Sequence, residues 1–329
     1  MYIRDMKLIA SNNISPLPFY DSIDKQNHRK DYAFGQIFPL ITYRNMLLPF
    51  QVCVFLPTAS TIERVRLYDC QKRECIDITS NMMSNGLEIK SFKNFQLIKY
   101  PGTLPIAKIK SEGLFYLIID IDIGFNGSPG PRPSIPGPPG SRPSIPERHT
   151  IKSIYSDVFS VTNSVSDYLL MEYRSPYNFE IKNGIVDFSD NFSFKCYLNT
   201  QIGKPEYDFE EEATERMGYT FIESQVSKKI YKFTFLAPEY LCDALRIVRL
   251  CETKQITSKS QTYDLSTFSM EPKWEDQGDL AAVECEFETD TVIANIGGFT
   301  PEHSSPEYDG GDYNEDYNED YKRESEISN

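Results

Sequence analysis

Tryptophan occurs once and histidine only three times in 329 residues. His28, His149 and His303 are far apart, the last two in low-complexity stretches, so imidazole catalysis and a histidine metal site have little to work with. There is no Gly-rich phosphate loop, no nucleophile elbow and no His-Glu-x-x-His helix. No apolar run approaches the length of a membrane-spanning helix, and the first residues show no basic region leading into an apolar core and a cleavage site. Neither classical secretion nor membrane insertion is therefore expected. A basic patch is missing as well. The net charge is −14, and the stretch from Glu302 onward accounts for −8 of it, with ten acids against Lys322 and Arg323. Sequence-specific nucleic-acid binding is not expected of such a chain. Neither is a cofactor, and the chain reads as a non-enzyme.

Seven cysteines, at 53, 70, 75, 196, 242, 251 and 285, lack the regular spacing of a secreted disulfide framework, and free thiols from a reducing cytoplasm are expected. Cys70 and Cys75 resemble half a zinc site, but no second cysteine or histidine pair accompanies them, so a loop or hairpin is the better reading. The acidic run Asp208-Phe-Glu-Glu-Glu212 and the repeated Asp-Tyr-Asn-Glu at 312 and 316 lack the glycine and spaced ligands of a calcium loop, so both read as solvated charge.

What the chain has is aromatic, with 21 Tyr and 21 Phe, and its length allows two domains. Residues 1–36 read as an extended arm that begins with a short strand. From 37 to 164, short apolar runs at 37–43, 50–56, 62–69, 75–79, 87–89, 95–100 and 114–123 alternate with turns, which predicts an immunoglobulin-like antiparallel β-sandwich. Residues 114–121 and 155–161 would form its closing hairpin. Between them, 124–149 is dense in Pro and Gly and carries Arg132-Pro-Ser-Ile-Pro136 twice, again at Arg142-Pro-Ser-Ile-Pro146. The glycine period of collagen is not kept, so a polyproline-II loop inserted in a hairpin is predicted, with a PxxP ligand for a partner's aromatic groove as the alternative. Residues 165–299 read as a second β-sandwich, with strands at 168–173 and 192–198, an acidic loop at 206–215 and a strand at 219–222. Residues 300–329 have too few aliphatics for a core and read as a disordered acidic tail.

The best-patterned stretch is 228–292. Tyr231, Phe233 and Phe235 alternate with Lys232 and Thr234 as in a half-buried strand. Pro238 suits a helix start, and Leu241, Ala244, Leu245, Val248 and Cys251 follow at helical spacing, predicting one flanking helix over 238–255 with Glu239, Asp243, Arg246, Arg249 and Glu252 on its wet side. A strand near 263–270 precedes 281–290, where Val283, Cys285 and Phe287 face inward. Glu284, Glu286, Glu288 and Asp290 then project from the other side as a candidate assembly or channel face.

Three runs carry a resemblance: Ile202-Gly-Lys-Pro-Glu-Tyr-Asp-Phe-Glu-Glu-Glu, Tyr231-Lys-Phe-Thr-Phe-Leu-Ala-Pro-Glu-Tyr-Leu-Cys-Asp-Ala-Leu-Arg, and Glu286-Phe-Glu-Thr-Asp-Thr-Val. Shorter pieces at Asn27-His-Arg-Lys, Leu47-Leu-Pro-Phe50 and Tyr155-Ser-Asp-Val-Phe-Ser-Val161 extend it over most of the chain. Together they resemble a family encoded among tail genes of phages and prophages of Bacteroidetes. The resemblance implies a structural subunit of a tail or baseplate, a homo-oligomeric ring contacting other tail proteins, and a place in the virion after synthesis in the host cytoplasm. It offers no catalytic residues. A module that binds surface glycans or adheres to the host is the alternative, resting on the abundant tyrosines.

Overall fold

The computed structural model describes residues 10–11, 15–26, 40–43, 48–55, 60–102, 112–123, 150–181, 184–216, 218–274, 280–289 and 293–296. The expectations for 124–149 and 300–329, for Asp290, and for most of the opening strand fall outside the described residues. So do all three histidines.

The protein is mainly β, its sheets antiparallel but for one ladder, with a helix near the C-terminal part. Two compact units are formed, 1–208 with 228–292, and 209–227 with 293–329. In chain order the first half supplies β1 (Ala10–Ser11), β2 (Phe19–Tyr20), β3 (Leu40–Tyr43), β4 (Phe50–Val54), β5 (Ser60–Asp69), β6 (Glu74–Asp77), the short helix α1 (Thr79–Ser84), β7 (Glu88–Ser91), β8 (Gln96–Tyr100) and β9 (Gly113–Ile123). There follow β10 (Thr150–Ser156), β11 (Phe159–Thr162), β12 (Leu169–Arg174), β13 (Phe179–Ile181), β14 (Gly184–Val186), β15 (Phe194–Leu198), β16 (Glu206–Arg216) and β17 (Tyr219–Pro238). The last elements are α2 (Glu239–Leu245), β18 (Thr253–Ser258), β19 (Gln261–Trp274), β20 (Leu280–Thr289) and β21 (Ile293–Ile296).

In the larger unit a long sheet runs β17-β20-β19-β18-β12-β15-β3-β11-β9-β10-β2, with β5 and β6 continuing from β9. The predicted closing hairpin is present, since β9 pairs antiparallel with both β10 and β11. β3 lies parallel to β11 and antiparallel to β15, so hydrogen bonding is continuous across residue 164. A small sheet, β1-β4-β8-β7, shares one apolar core with the long sheet, through Phe50, Val52, Ile98 and Tyr100 on one side and Val65, Leu67, Leu117 and Phe159 on the other. The described parts of the arm join both sheets, β1 pairing with β4 and β2 with β10.

Every residue of β4 and β8 is buried, because the β13–β14 hairpin covers the second face of the small sheet. The Cys53 thiol of β4 donates to the Ile185 carbonyl at 3.6 Å. Gly184 permits that approach: a Cβ there would sit 2.5 Å from Cys53 Sγ.

Three predicted elements need correction. The helix is shorter than 238–255. Regular hydrogen bonding stops at Leu245, and a 3-10 turn, Val248–Leu250, completes the segment before β18. The apolar spacing continues because that turn also buries Val248 and Cys251; periodicity reports burial, not the type of hydrogen bond. Residues 206–215 form strand β16, not a loop. The run predicted at 219–222 is the start of a single 20-residue strand that continues to Pro238. Nearly all of β16 is exposed, so no buried face imposes the alternation that would have marked it as a strand. Residue 79, read as the end of a strand, opens α1. The Thr79 hydroxyl donates to Asp77 Oδ1 at 2.7 Å, and the Val65 amide donates to Thr79 Oγ1 at 2.9 Å.

The smaller unit is described only at 209–216, 218–227 and 293–296. There β16 and β17 run side by side, joined by hydrogen bonds from Ser224 Oγ to Glu212 and from Gln225 Nε2 to Glu211. β21 pairs antiparallel with β17 from Ser227↔Ile293 to Ser224↔Ile296.

Candidate functional site

β20 lies between β17 and β19, and its alternation is the one predicted. Ala281, Val283, Cys285 and Phe287 are buried, with α2 contributing Tyr240, Leu241, Ala244 and Leu245 to the same core. Glu284, Glu286 and Glu288 point the other way. Across the ladder Glu286 faces Lys232 and Glu284 faces Thr234 on one side, while Glu284 faces Glu271 on the other. Two carboxylates directly opposite repel. Lys273 relieves this pair, with its Nζ 2.6 Å from Glu284, and Lys232 lies 3.7 Å from Glu286 and 2.5 Å from Glu206. Hydrogen bonds donated by the two lysines to Glu206 and Glu284 hold them above the ordinary lysine range. The face is thus a half-exposed acid–base ladder with an excess of acid, Glu206, Glu271, Glu284, Glu286 and Glu288 against Lys232 and Lys273. Lys229 belongs elsewhere, its Nζ lying 5.3 Å from the Tyr231 ring centroid.

β16 is the last strand in the sheet order, next to β17. Residues 206–213 are all exposed, and Tyr207 and Phe209 are 62% and 68% accessible. A long edge of this kind invites strand addition by another chain; its interspersed acids oppose indiscriminate pairing.

A second feature is a polar groove of about 240 Å³ where β17, β19 and the end of β20 meet, lined by Lys229, Tyr231, Tyr263, Asp264 and Thr289. Tyr231 and Tyr263 meet edge to face at 5.0 Å, and the buried Thr289 hydroxyl has no hydrogen-bond partner among the described residues. Its amphipathic tyrosine wall is the kind of surface a sugar ring can lie on.

Sequence reasoning missed the strongest electrostatic feature. Lys99 of β8, 2% exposed, and Lys90 of β7 converge on Asp187, which follows β14. Lys99 Nζ is 3.2 Å from Asp187 Oδ2 and donates to the Ser189 carbonyl at 2.8 Å; Lys90 Nζ is 2.9 Å from Asp187 and 3.1 Å from Asp190. The Gln51 side chain donates to the Asp187 carbonyl at 2.6 Å and accepts from its amide at 2.9 Å. Burial alone would raise the Asp187 carboxyl, but hydrogen bonds from Lys90 and Ser189 and the charge of Lys99 outweigh it, holding the group well below the usual carboxylate range. Burial of Lys99 and Asp187 and the convergence of several donors on one carboxylate make this a clip that fastens the β14–β15 connection onto the small sheet, not a reactive centre. Two lysines at alternating strand positions look like solvent residues, so only knowledge that β8 is covered on both faces would have revealed it.

A comparable joint lies at the arm. Asp157, 1% exposed, accepts from Tyr20, and burial followed by the Asp157 charge pushes the Tyr20 hydroxyl far above its normal range. None of the seven cysteines is in a disulfide, and burial raises the thiols of Cys196 and Cys251, each to about 12. Cys70 and Cys75 sit in the β5–β6 hairpin, as read from the sequence. Among the described residues no three His, Cys, Asp or Glu side chains gather where they could hold a metal ion, and no helix is long and apolar enough to cross a membrane. No family model matches the chain, and neither a curated protein nor a solved structure is similar to it.

Proposed function

We propose that this chain is a non-catalytic structural subunit of a phage tail or baseplate, assembling as a homo-oligomeric ring beside other tail proteins of the virion. The observation that carries the reading is β16, the last strand in the sheet order, on which Tyr207 and Phe209 are 62% and 68% exposed. Exposed aromatics on a terminal strand are characteristic of surfaces that a second chain covers. The acidic ladder of Glu284, Glu286 and Glu288 then faces a lumen, where carboxylates repel passing phosphates over about one Debye length, near 8 Å at physiological salt. The test is negative-stain imaging and light scattering of the purified chain, with Tyr207→Lys/Phe209→Lys beside it. Rings that the double variant fails to form support the reading; a wild-type monomer at every concentration overturns it.

A surface-glycan-binding module is the second reading, favoured by the tyrosine-walled groove and the Thr289 hydroxyl, unpartnered among the described residues. Retention of a capsular glycan that Tyr263→Ala abolishes would select it.

A further inference from the structure

Phe92 and Phe95, in the turn between β7 and β8, stack at 4.8 Å between ring centroids, and Phe55, just beyond β4, lies 6.4 Å from Phe95. Together with Asn94, and with Glu180 and Ile185 from the β13–β14 hairpin, they line a cavity of about 340 Å³. Phe92 is 38% exposed, so the aromatic wall opens to solvent. Aromatic ridges flanked by an amide and a carboxylate match one ligand chemistry well. A polyproline-II strand sets its proline rings between the aromatics, offers its unbonded carbonyls to the amide, and places an adjacent arginine on the carboxylate.

The sequence carries a proline-spaced, arginine-led segment of that composition twice, as Arg132-Pro-Ser-Ile-Pro136 and Arg142-Pro-Ser-Ile-Pro146. The chain also leaves the sheet at the correct end. The Pro-rich segment departs from Ile123 and returns at Thr150, which are paired with each other. Ile123 also faces Ser60. The Ser60 hydroxyl donates to the side chain of Gln96, the residue directly after Phe95. Thr150 lies four residue steps after Pro146, and Arg132 nine steps after Ile123. At ~3.1 Å per residue those lengths span roughly 12 and 28 Å, enough to reach a groove that begins one residue from the exit strand's neighbour.

We infer that the Phe55/Phe92/Phe95 groove is a polyproline-binding site whose occupant is the chain's own Arg-Pro-Ser-Ile-Pro segment, with Glu180 receiving the arginine. Tethering favours the intramolecular complex, since short linkers give effective concentrations on the order of millimolar. The groove holds one five-residue copy at a time, so the two copies compete for it.

The experiment uses the full chain with Phe92 replaced by the photoreactive analogue benzoylphenylalanine, irradiated as an equal mixture of unlabelled and ¹⁵N-labelled protein and mapped by mass spectrometry. Crosslinks from position 92 to residues 131–147, with both peptides carrying the same isotope, are expected. Crosslinks that fall elsewhere, that join labelled to unlabelled copies in about half of the pairs, as random pairing between chains of an equal mixture gives, or that do not form overturn the inference. Glu180→Arg should lower the yield about threefold, as loss and reversal of one exposed ion pair would, and Arg132→Glu/Arg142→Glu in the same chain should restore it. A yield indifferent to both changes removes the arginine–Glu180 pairing and the inference with it.

Discussion

Lysine meets carboxylate in two parts of this molecule with opposite consequences. At the clip, Lys99 and Asp187 are 2% and 4% exposed, and Asp187 also accepts from Lys90 and the Ser189 amide. On the acidic ladder, Lys273 and Glu284 are each 52% exposed although their charged atoms lie closer together, at 2.6 Å. Distance alone would rank the ladder pair as the stronger. Burial reverses the order, because water screens the ladder pair and is excluded from the clip, where removing one partner strands the other. The clip is therefore structural and specific, and the ladder is a surface free to meet something else.

The largest effect is expected where a carboxylate is buried with no clip to receive it. Leu245 is fully buried on α2 while Arg246 beside it is exposed, paired only with Asp243 at 3.6 Å. Leu245→Asp should abolish cooperative unfolding, whereas Arg246→Ala should shift stability by no more than about 0.5 kcal/mol. Equal denaturation midpoints for the two variants would break the face assignment of the helix.

Next is the clip itself. Asp187→Ala leaves the buried Lys99 with only the exposed Asp190 carboxylate, 3.5 Å away, as counter-ion, and a loss of about 3 kcal/mol by chemical denaturation is expected. A loss below about 1 kcal/mol would mean that water reaches the cluster and that its contrast with the ladder is false.

The pH dependence of the clip sharpens the comparison further. Because the folded-state Asp187 carboxyl is depressed, its contribution is complete above the unfolded value, about 4, and is lost as pH falls from there through the folded value. The stability gap between wild type and Asp187→Asn should accordingly be constant above about pH 5 and should narrow below pH 4. A gap that stays constant down to acid unfolding would show that Asp187 is not held in its charged form.

Legibility in the sequence follows the same division. The strand pattern of 229–236 and 281–289 was readable because each has one apolar and one polar face, and so was the burial of Leu241, Ala244, Leu245, Val248 and Cys251. β16 was not, since a strand wet on nearly all its length carries no period. The clip was hidden for the converse reason: β8 is buried on both faces, and Lys99 sits where local pattern reads solvent. It takes a contact 88 residues away, with Asp187, to make that lysine a core residue. Of the candidate face, Glu284, Glu286 and Glu288 project together as expected. Their partial neutralisation by Lys232 and Lys273 depends on strand order, which alternation within one strand does not contain.

The smallest effect is expected on the ladder. Glu284→Gln/Glu286→Gln/Glu288→Gln removes the pairs with Lys273 and Lys232, but it also removes the repulsion between Glu284 and Glu271 and among the acids themselves. Losses and gains of screened charge at half-exposed positions offset one another. The triple variant should unfold at a midpoint indistinguishable from wild type in moderate salt, with any difference confined to low ionic strength, where the Debye length grows to about 30 Å at 0.01 M. If the proposed ring and its acidic lumen exist, the same variant should still form rings yet release the genome more slowly, because the phosphate-repelling charge is gone. A destabilisation that persists in high salt would mean that these glutamates are structural like Asp187, and a variant particle that delivers its genome at the normal rate would remove the lumen from the account of why this face is acidic.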